Sequence, residues 1–335
     1  MDMTLPDIND LQAARERVRG KVLETPVAHH DALDAALGCH VWLKCEQLQP
    51  TGAFKVRGAT NSVTRLREAG DTRDVATHSS GNHGAALARA ARLDGRKAYI
   101  VMPSNAVGRK VRSVENEGGT VISCEPGQAP REQGLAALVA EGKVPIPPYD
   151  HADIIAGQGT AAMELFEQVD SLDIIMTPVG GGGLLAGTAI AARALRPGTA
   201  VIGAEPAGAA DTNASVADGH RVESWSPDTV ADGLRALVGA SNYAIISDKV
   251  DQVLLADDEA IVAAMRLLFE TTGLRVEPSA AVTLAVIASH PEVFRGRSVG
   301  VILSGGNYDP ALFPWLEEPQ PGTGATGTED NGGPA

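Results

Sequence analysis

The chain has 335 residues, a formal net charge of −14 at pH 7 and an apolar content of 44%. This length suffices for two domains or one large α/β unit, and the composition supports a sizeable buried core. The acidic balance argues against a nucleic-acid partner, because phosphate binding needs clustered Lys and Arg. No run of about 18 apolar residues occurs, so no membrane-spanning helix is expected.

The N-terminus and the cysteines both predict a cytoplasmic protein. The opening residues, MDMTLPDINDLQAARERV, are acidic and contain no apolar signal-peptide core. The three cysteines, Cys39, Cys45 and Cys124, form no CxxC pair and have no paired spacing. Such a sparse, odd set is typical of reduced intracellular thiols rather than of a disulfide framework.

Apolar runs alternate with Ala-rich helical patterns along most of the chain. The predicted strands are 40–46, 75–79, 97–103, 120–124, 173–179, 200–206 and 298–306. The predicted helices are 7–20, 56–69, 82–93, 107–118, 131–141, 157–170, 184–195, 257–272 and 278–290. Short, wholly apolar strands separated by helices indicate βαβ units around buried parallel sheets.

This alternation predicts an α/β fold of two domains, each an open, mostly parallel sheet flanked by helices. Residues 73–150 would form a small domain, and residues 8–65 together with 151–316 a large one. The Pro-rich segment 143–150 is a natural crossing between them. Residues 317–335 are rich in Gly, Pro, Thr and acid, which predicts a disordered tail. An active site is expected in the cleft between the domains, at the carboxyl ends of strands.

The segment DIIMTPVGGGGLLAGTAIAARAL, residues 173–195, runs from an apolar strand through four glycines into a helical pattern. Backbone N–H groups of such a loop can close around an anion, and a helix N-terminus adds favourable partial charge. A tight turn with close helix–sheet packing is the alternative interpretation. The segment predicts a phosphate site at Gly180, Gly181, Gly182, Gly183 and Leu184.

The sequence of this loop leaves the identity of the phosphate open. The GxxxxGK[ST] pattern of nucleotide hydrolases is absent. Gly181-x-Gly183-x-x-Ala186 matches a relaxed dinucleotide fingerprint, and Glu205 ends the next predicted strand where a ribose-binding acid belongs. Taken alone, the loop favours an NAD-dependent dehydrogenase, although four consecutive glycines exceed what that fingerprint needs.

The segment TGAFKVRGA contains a single lysine, Lys55, among small and apolar residues. Burial disfavours the ammonium form of a lysine. Alone, the segment is compatible with a surface lysine, a phosphate ligand or an amine kept for carbonyl chemistry. Two other segments place polar residues after predicted strands: THSSGNHGAALARAAR at 77–92 and VILSGGN at 301–307.

Together, these four segments resemble the fold-type II pyridoxal phosphate (PLP) enzymes, in the right order throughout. SSGNHG is similar to the threonine/serine dehydratase and serine racemase branch, whereas cysteine and threonine synthases typically carry a TSGNTG-like version. IIAGQGTAAMEL, AEPAGAAD and TVADGL are also similar to that branch. The resemblance implies a tryptophan synthase β-like fold, with PLP in the interdomain cleft.

The resemblance also implies a role for each site residue. Lys55 would be the Schiff-base lysine and the base that removes the substrate Cα proton, which suits a desolvated amine. Asn82 would hydrogen-bond the cofactor 3′-oxygen, and Ser304 would face the pyridine nitrogen. The amino-acid substrate would bind Ser79, Ser80, Asn82, His83 and Arg131. A helix N-cap at Ser79 or Ser80, a structural histidine and a surface arginine are the alternatives.

A neutral serine beside the pyridine nitrogen does not hold that nitrogen protonated, which favours prompt loss of a β-leaving group. The leading hypothesis is therefore a threonine/serine ammonia-lyase that converts L-threonine or L-serine to a 2-oxo acid and ammonia. The alternative is a serine or aspartate-type racemase, or a 3-hydroxyaspartate dehydratase, with Lys55 and Ser80 as two bases. An NAD-dependent dehydrogenase remains the hypothesis from another class.

The segment EPAGAAD resembles the cation site of the racemase-like enzymes. By that resemblance Glu205, the carbonyl of Ala209 and Asp211 would hold Mg²⁺, or Ca²⁺ or Mn²⁺, and oxygen ligands suit such hard cations. A homodimer is also implied. Two departures from the family pattern are Pro50, which makes ATP regulation doubtful, and PPYD at 147–150, which replaces the usual His-Pro-Phe-Asp beside the cofactor ring.

Overall fold

The computed structural model describes residues 5–79 and 81–317 of the chain. Within these residues the strands are β1 (Val27–Ala28), β2 (His40–Lys44), β3 (Val75–His78), β4 (Ala98–Pro103), β5 (Thr120–Cys124), β6 (Val144–Pro145), β7 (Ile174–Pro178), β8 (Ala200–Pro206), β9 (Gln252–Ala256) and β10 (Ser298–Ile302). The helices are α1 (Ile8–Val18), α2 (Asp31–Leu37), α3 (Lys55–Glu68), α4 (Asn82–Leu93), α5 (Gly108–Asn116), α6 (Gln128–Ala140), α7 (Ala152–Gln168), α8 (Gly183–Leu195), α9 (Asp211–Asp218), α10 (Ala240–Lys249), α11 (Asp258–Thr272), α12 (Pro278–Ser289) and α13 (Pro291–Phe294). Short 3₁₀ helices span Glu46–Leu48, Ala207–Ala209, Asp232–Leu234 and Pro314–Glu317.

The strands form two sheets. The larger has six strands in the order β1-β2-β10-β7-β8-β9, and the smaller has four in the order β5-β4-β3-β6. Every pairing is parallel except the short antiparallel pair of β1 with β2. The central strand β7 is buried along its whole length, as expected for a parallel strand covered by helices on both faces.

Glycines allow α7 to lie close to the two helices that carry predicted site residues. A Cβ at Gly187 on α8 would lie 2.7 Å from the backbone N of Gly159 on α7. A Cβ at Gly157 would lie 2.7 Å from the Cα of Gly58 on α3. Side chains at these contacts would force the helices apart, so α7 fixes the spacing between the start of α3 and the start of α8.

The predicted α/β fold of mostly parallel sheets flanked by helices is confirmed. The smaller sheet uses strands between residues 75 and 145, and the larger uses strands on either side of that span. The domain boundaries stay a prediction, and residues 318–335 of the predicted tail lie outside the described residues. Within the part of the chain that the structure describes, no helix is long and apolar enough to span a membrane.

Several short elements were not predicted from the sequence. They are the strands β1, β6 and β9 and the helices α2, α9, α10 and α13. β1 and β6 have only two residues each, too few to show an alternating pattern. α9 follows directly from the EPAGAAD segment, and its first residue is the predicted metal ligand Asp211.

Candidate active site

Lys55 is the first residue of α3, and its Nζ donates a hydrogen bond to the carbonyl of Pro148 at 2.9 Å. Burial lowers the pKa of Lys55 to about 8, although the negative charge of Glu277 opposes that shift. A substantial fraction of the amine is therefore neutral near pH 7 to 8, the form that acts as nucleophile or base. The structure thus favours an activated amine over a surface lysine.

Buried ion pairs fix the first turn of α3, two residues beyond Lys55. The guanidinium of Arg57 contacts Glu46 with Nε 2.7 Å from Oε2, and Glu164 with Nη1 2.6 Å from Oε1. Lys44 Nζ lies 2.7 Å from the other oxygen of Glu164. Because two cations and two carboxylates meet there, the charges balance, and their contacts restrain the backbone that carries Lys55.

The glycine loop joins β7 to α8. The loop glycines are packed so closely that side chains do not fit: a Cβ at Gly181 would lie 2.3 Å from the ring of Tyr149, and one at Gly183 would lie 2.6 Å from Gln158 Oε1. Gly182 has a φ of 90°, a left-handed conformation that favours glycine. The first N–H groups of α8 have no partner within the helix, so the loop offers donors to an anion.

Asn82 is the first residue of α4 and lies between the two sheets. Its Nδ2 donates to Glu277 Oε1 at 2.9 Å, and its Oδ1 accepts from Asn307 Nδ2 at 2.9 Å. These contacts fix the orientation of the Asn82 amide. Ser79 Oγ accepts a hydrogen bond from the N–H of Gly81 at 3.3 Å, which fits a loop that leads into a helix.

Ser304 follows β10 directly and is almost completely buried. Its carbonyl accepts a hydrogen bond from the N–H of Phe54 at 3.0 Å, so it lies beside the residue that precedes Lys55. Its hydroxyl has no hydrogen-bond partner among the residues that the structure describes. A hydroxyl without a protein partner is available to a ligand.

These observations fit PLP. Lys55 would supply an amine for the aldehyde and the glycine loop N–H donors for the phosphate. Asn82 and Ser304 would supply polar groups for the 3′-oxygen and the pyridine nitrogen. The chain also matches the family described as pyridoxal-phosphate dependent enzyme over residues 18–305. The protein belongs to the PLP-dependent enzyme family. This membership removes the support for the dinucleotide interpretation of the glycine loop.

Relatives within this PLP-dependent family cover nearly the whole chain. The β-hydroxyaspartate dehydratase of Paracoccus denitrificans is 42% identical over 314 residues, which are 93% of this chain and 100% of the relative. The L-threo-3-hydroxyaspartate ammonia-lyase of Saccharomyces cerevisiae is 41% identical over 309 residues, 92% of this chain and 95% of the relative. The structure of maize serine racemase superposes with a TM-score of 0.89 at 40% identity, covering 94% of this chain and 99% of that one. The protein is thus similar to dehydratases and racemases of the family.

The imidazole ring of His83 does not present a donor to the PLP site. Its Nε2 lies 3.0 Å from the carbonyl of Ile146, which requires an N–H at that nitrogen. Burial, together with the charge of Lys55, lowers the pKa of His83 to about 3, so the ring is neutral. The other nitrogen, Nδ1, is then an unprotonated acceptor and is suited poorly to a carboxylate. This geometry favours the alternative interpretation, a structural histidine.

Arg131 lies in the first turn of α6 and bonds to its own helix. Its Nε donates to the carbonyl of Gly127 at 3.1 Å, and its Nη2 donates to Gln128 Oε1 at 2.6 Å. Its charge nevertheless contributes to a lowered pKa of His78, after the larger effect of burial. The contact of Arg131 with substrate therefore stays a prediction.

Ser80 lies outside the described residues, so its predicted role also stays a prediction.

Two of the predicted metal ligands are buried carboxylates. Glu205 accepts the N–H groups of Thr212 at 2.9 Å and Asn213 at 2.8 Å, and Asp211 accepts the N–H of Val238 at 2.8 Å. Burial raises the pKa of Glu205 to about 8, and the charge of Asp211 adds to that shift. Carboxylate oxygens are ligands that suit a hard cation. Across residues 5–79 and 81–317, however, no group of three or more His, Cys, Asp or Glu side chains could hold a metal.

The predicted third ligand, Ala209, is buried and ends the 3₁₀ helix Ala207–Ala209, two residues before Asp211. The cation itself stays a prediction.

Tyr149 of the PPYD segment packs on the glycine loop, with its ring where a Cβ at Gly181 would lie. The PPYD segment therefore contributes to the shape of the glycine loop.

Glu277 is the site residue that the sequence did not reveal. It precedes α12 in the segment RVEPSAA, which has the appearance of an ordinary helix start with proline at the first position. Its carboxylate is nevertheless buried and contacts Asn82. The only local signal is an acid directly before an almost wholly apolar helix, which is too common to identify a site.

Proposed function

We propose that the protein is a PLP-dependent ammonia-lyase that acts on 3-hydroxyaspartate and forms a 2-oxo acid and ammonia. The observation that carries the proposal is the partly buried amine of Lys55, which has a lowered pKa and directly follows Phe54, the residue that bonds to the carbonyl of Ser304. The 42% identity to a β-hydroxyaspartate dehydratase along that relative's entire length supports the choice of substrate. This choice replaces threonine or serine as the leading substrate.

When bound, PLP supplies an electron sink that stabilises negative charge at the substrate Cα. Lys55 would remove the Cα proton through its neutral Nζ, and that proton would pass to the departing 3-hydroxyl, which leaves as water. A second water would then release ammonia and leave the 2-oxo acid. The N–H groups at the start of α4 and Asn82 orient the substrate carboxylate and the ring. The glycine loop holds the phosphate, and Ser304, as a neutral partner, favours rapid loss of the hydroxyl over a long-lived negative charge.

Cationic residues beside Asn82 support a substrate with a second carboxylate. A cavity of about 110 Å³ is lined by Gly81, Asn82, Arg109, Lys110, Ser113 and Asn307. Lys110 pairs with Asp232, whereas Arg109 donates to the carbonyl of Asn307 at 2.9 Å. On a chain with a net charge of −14, the guanidinium of Arg109, which has no carboxylate partner among the described residues, favours the approach of an anion to this cavity.

Serine racemisation is the second candidate function. The similarity to maize serine racemase, with a TM-score of 0.89, supports it. Racemisation needs a second proton donor on the face of the cofactor opposite Lys55, and Ser80 is the predicted residue. Magnesium at Glu205, Ala209 and Asp211, a homodimer and a cytoplasmic location are further proposals that rest on family resemblance and composition.

A substrate panel tests the proposal. Purified protein with PLP is mixed with the 3-hydroxyaspartate isomers, L-threonine and L-serine, with Mg²⁺ or with a chelator. Oxaloacetate, 2-oxobutanoate, pyruvate and ammonia are quantified, and serine is analysed on a chiral column. Oxaloacetate from a hydroxyaspartate isomer at the highest kcat/KM is expected. A higher kcat/KM for 2-oxobutanoate from L-threonine would overturn the assignment, and D-serine as the main product from L-serine would favour the racemase.

A further inference from the structure

Glu277 joins the parts of the active site that come from the two sheets. Its Oε1 and Oε2 lie 2.9 and 3.2 Å from Asn82 Nδ2, and Oε2 accepts the N–H of Asn307 at 3.2 Å. Asn82 follows β3 of the smaller sheet, and Asn307 follows β10 of the larger one. A Cβ at Gly305 would lie 2.8 Å from Oε1, so the turn after β10 approaches the carboxylate where only glycine fits.

The charges around Glu277 come from three elements. At the start of α3, the negative charge of Glu277 opposes the lowering of the pKa of Lys55 by burial. Lys110 on α5 lowers the pKa of Glu277, and Asp232 of the 3₁₀ helix Asp232–Leu234 raises it. Burial is the largest effect and, despite the hydrogen bond from Asn82, raises the pKa of Glu277 to about 7. The carboxyl group therefore changes its charge near neutral pH.

We propose that Glu277 is a positioning residue of this active site: its carboxylate fixes the amide of Asn82, and its charge controls the protonation of Lys55. The proposal depends on the PLP site of the proposed function but on no particular substrate. Ionised Glu277 accepts hydrogen bonds from both Asn82 and Asn307, whose groups there are donors. The protonated acid carries a donor of its own, so it competes with them and loosens the amide.

The same charge acts on Lys55, because the turn that meets the carboxylate at Gly305 also bridges to Ala53, two residues before the lysine. An ionised carboxylate nearby favours the ammonium form and so raises the pKa of the lysine against the effect of burial. Without that charge nothing opposes the effect of burial, so the pKa of Lys55 falls further. Glu277→Gln retains the shape and one acceptor oxygen but removes the charge, which makes it the informative variant.

The test measures Lys55 directly and needs no substrate. Apo-protein is mixed with PLP, and the rate at which the visible absorbance of lysine-linked PLP appears is followed across pH. Only the neutral amine attacks the aldehyde, forming a C=N bond and releasing water, so the midpoint of the pH profile reports the state of Lys55. For Glu277→Gln the midpoint should fall by roughly one pH unit. Glu259→Gln, at an exposed position on α11, should keep the wild-type midpoint.

A second readout separates the two roles. With the best substrate of the panel, Glu277→Gln should lower kcat/KM roughly tenfold or more, because Asn82 loses a charged partner. The decrease of kcat/KM on the acid side of pH 7, which protonation of Glu277 causes in the wild type, should also be absent in Glu277→Gln. An unchanged condensation midpoint together with wild-type kcat/KM would overturn the proposal, whatever the substrate proves to be.

Glu277→Asp covers the case in which the neutral variant does not fold. Its shorter side chain withdraws the carboxylate from Asn82 and Lys55, so its midpoint should also move to lower pH. A wild-type midpoint in this variant would overturn the proposal. If no substrate of the panel reacts while the condensation midpoint still shifts, the proposed function fails and the role of Glu277 stands.

Discussion

Arg57 and Glu46 form a bidentate ion pair in which neither side chain is exposed. The Nε–Oε2 distance is 2.7 Å and the Nη2–Oε1 distance is 2.8 Å. The same guanidinium bonds both oxygens of Glu164, at 2.6 and 2.7 Å. Since Arg57 lies only two residues from Lys55, the pair couples the stability of the fold to the placement of the Lys55 amine.

Replacement of Arg57 by methionine should strongly destabilise the protein. The change leaves Glu46 and Glu164 buried with only Lys44 as a cation, and an uncompensated buried charge costs about 3–5 kcal/mol. Urea unfolding measures the loss. Arg65→Met on the same helix removes an exposed ion pair with Asp153 and should cost less than about 1 kcal/mol. Equal losses in the two variants would contradict the role of burial.

Replacement of Lys55 by alanine should abolish both the visible absorbance of lysine-linked PLP and turnover. A general base contributes roughly 10²–10⁴-fold, so the loss of kcat should be at least that large. Absorbance spectra of the purified protein and the ammonia assay measure the two effects. Lys97→Ala, at an exposed position, should retain colour and activity. A yellow, active Lys55→Ala protein would rule out this lysine as the attachment site.

Local patterns in the sequence predicted much of the fold and of the site. The bounds of β5, β8 and α4 agree with the prediction, since each has an apolar run or a regular helical pattern between clear breaks. The glycine loop and Lys55 are also recognisable locally, because several unusual residues stand side by side. Their order along the chain then indicated the family.

Contacts between distant segments could not be predicted in this way. Glu277 reaches Asn82 across 195 residues, and Arg57 reaches Glu164 across 107. No local pattern distinguishes a buried, paired acid from an exposed one at a helix start. For the same reason the sequence did not show that the carbonyl of Ile146, 63 residues away, occupies Nε2 of His83, and the predicted contact of His83 with substrate stays a prediction.

The stability of the protein should fall in mild acid because of His83. Its pKa is about 3 in the folded protein and about 6.5 in an unfolded chain. The unfolded state therefore binds more protons below pH 6.5, and stability is lost as the pH falls from 6.5 towards 3. Between about pH 7.5 and about pH 5 the wild type should lose about 2 kcal/mol more than His83→Gln.

Urea unfolding at the two pH values measures this difference for His83. Histidine to glutamine at the exposed His220 is the matched control, and it should leave the pH dependence of the wild type unchanged. The glutamine side chain at position 83 can still donate to Ile146 but does not titrate in this range. Identical acid sensitivity of the wild type and His83→Gln would show that other groups cause the loss.

Magnesium should stabilise the protein if Glu205 and Asp211 bind it. A cation that binds only the folded state raises the unfolding free energy by about 2.7 kcal/mol at a hundred times its dissociation constant. Thermal unfolding with Mg²⁺ and with a chelator measures the effect. Glu205→Gln and Asp211→Asn should lose it, whereas Asp218→Asn at the exposed end of α9 should keep it. An equal response of all four proteins would exclude this pair as the site.

Replacement of Ser80 by alanine should separate racemisation from elimination. Racemisation requires one group to remove the Cα proton and another to return a proton on the opposite face, whereas elimination needs only Lys55 as base. Ser80→Ala should therefore lower the formation of D-serine from L-serine by roughly 100-fold or more and leave the formation of pyruvate within a few-fold. Chiral chromatography and a 2-oxo acid assay on the same samples measure both products, with the exposed Ser247→Ala as control. If D-serine and pyruvate decrease together, Ser80 binds the substrate rather than returning a proton to it. An unchanged yield of D-serine would exclude Ser80 as the second base.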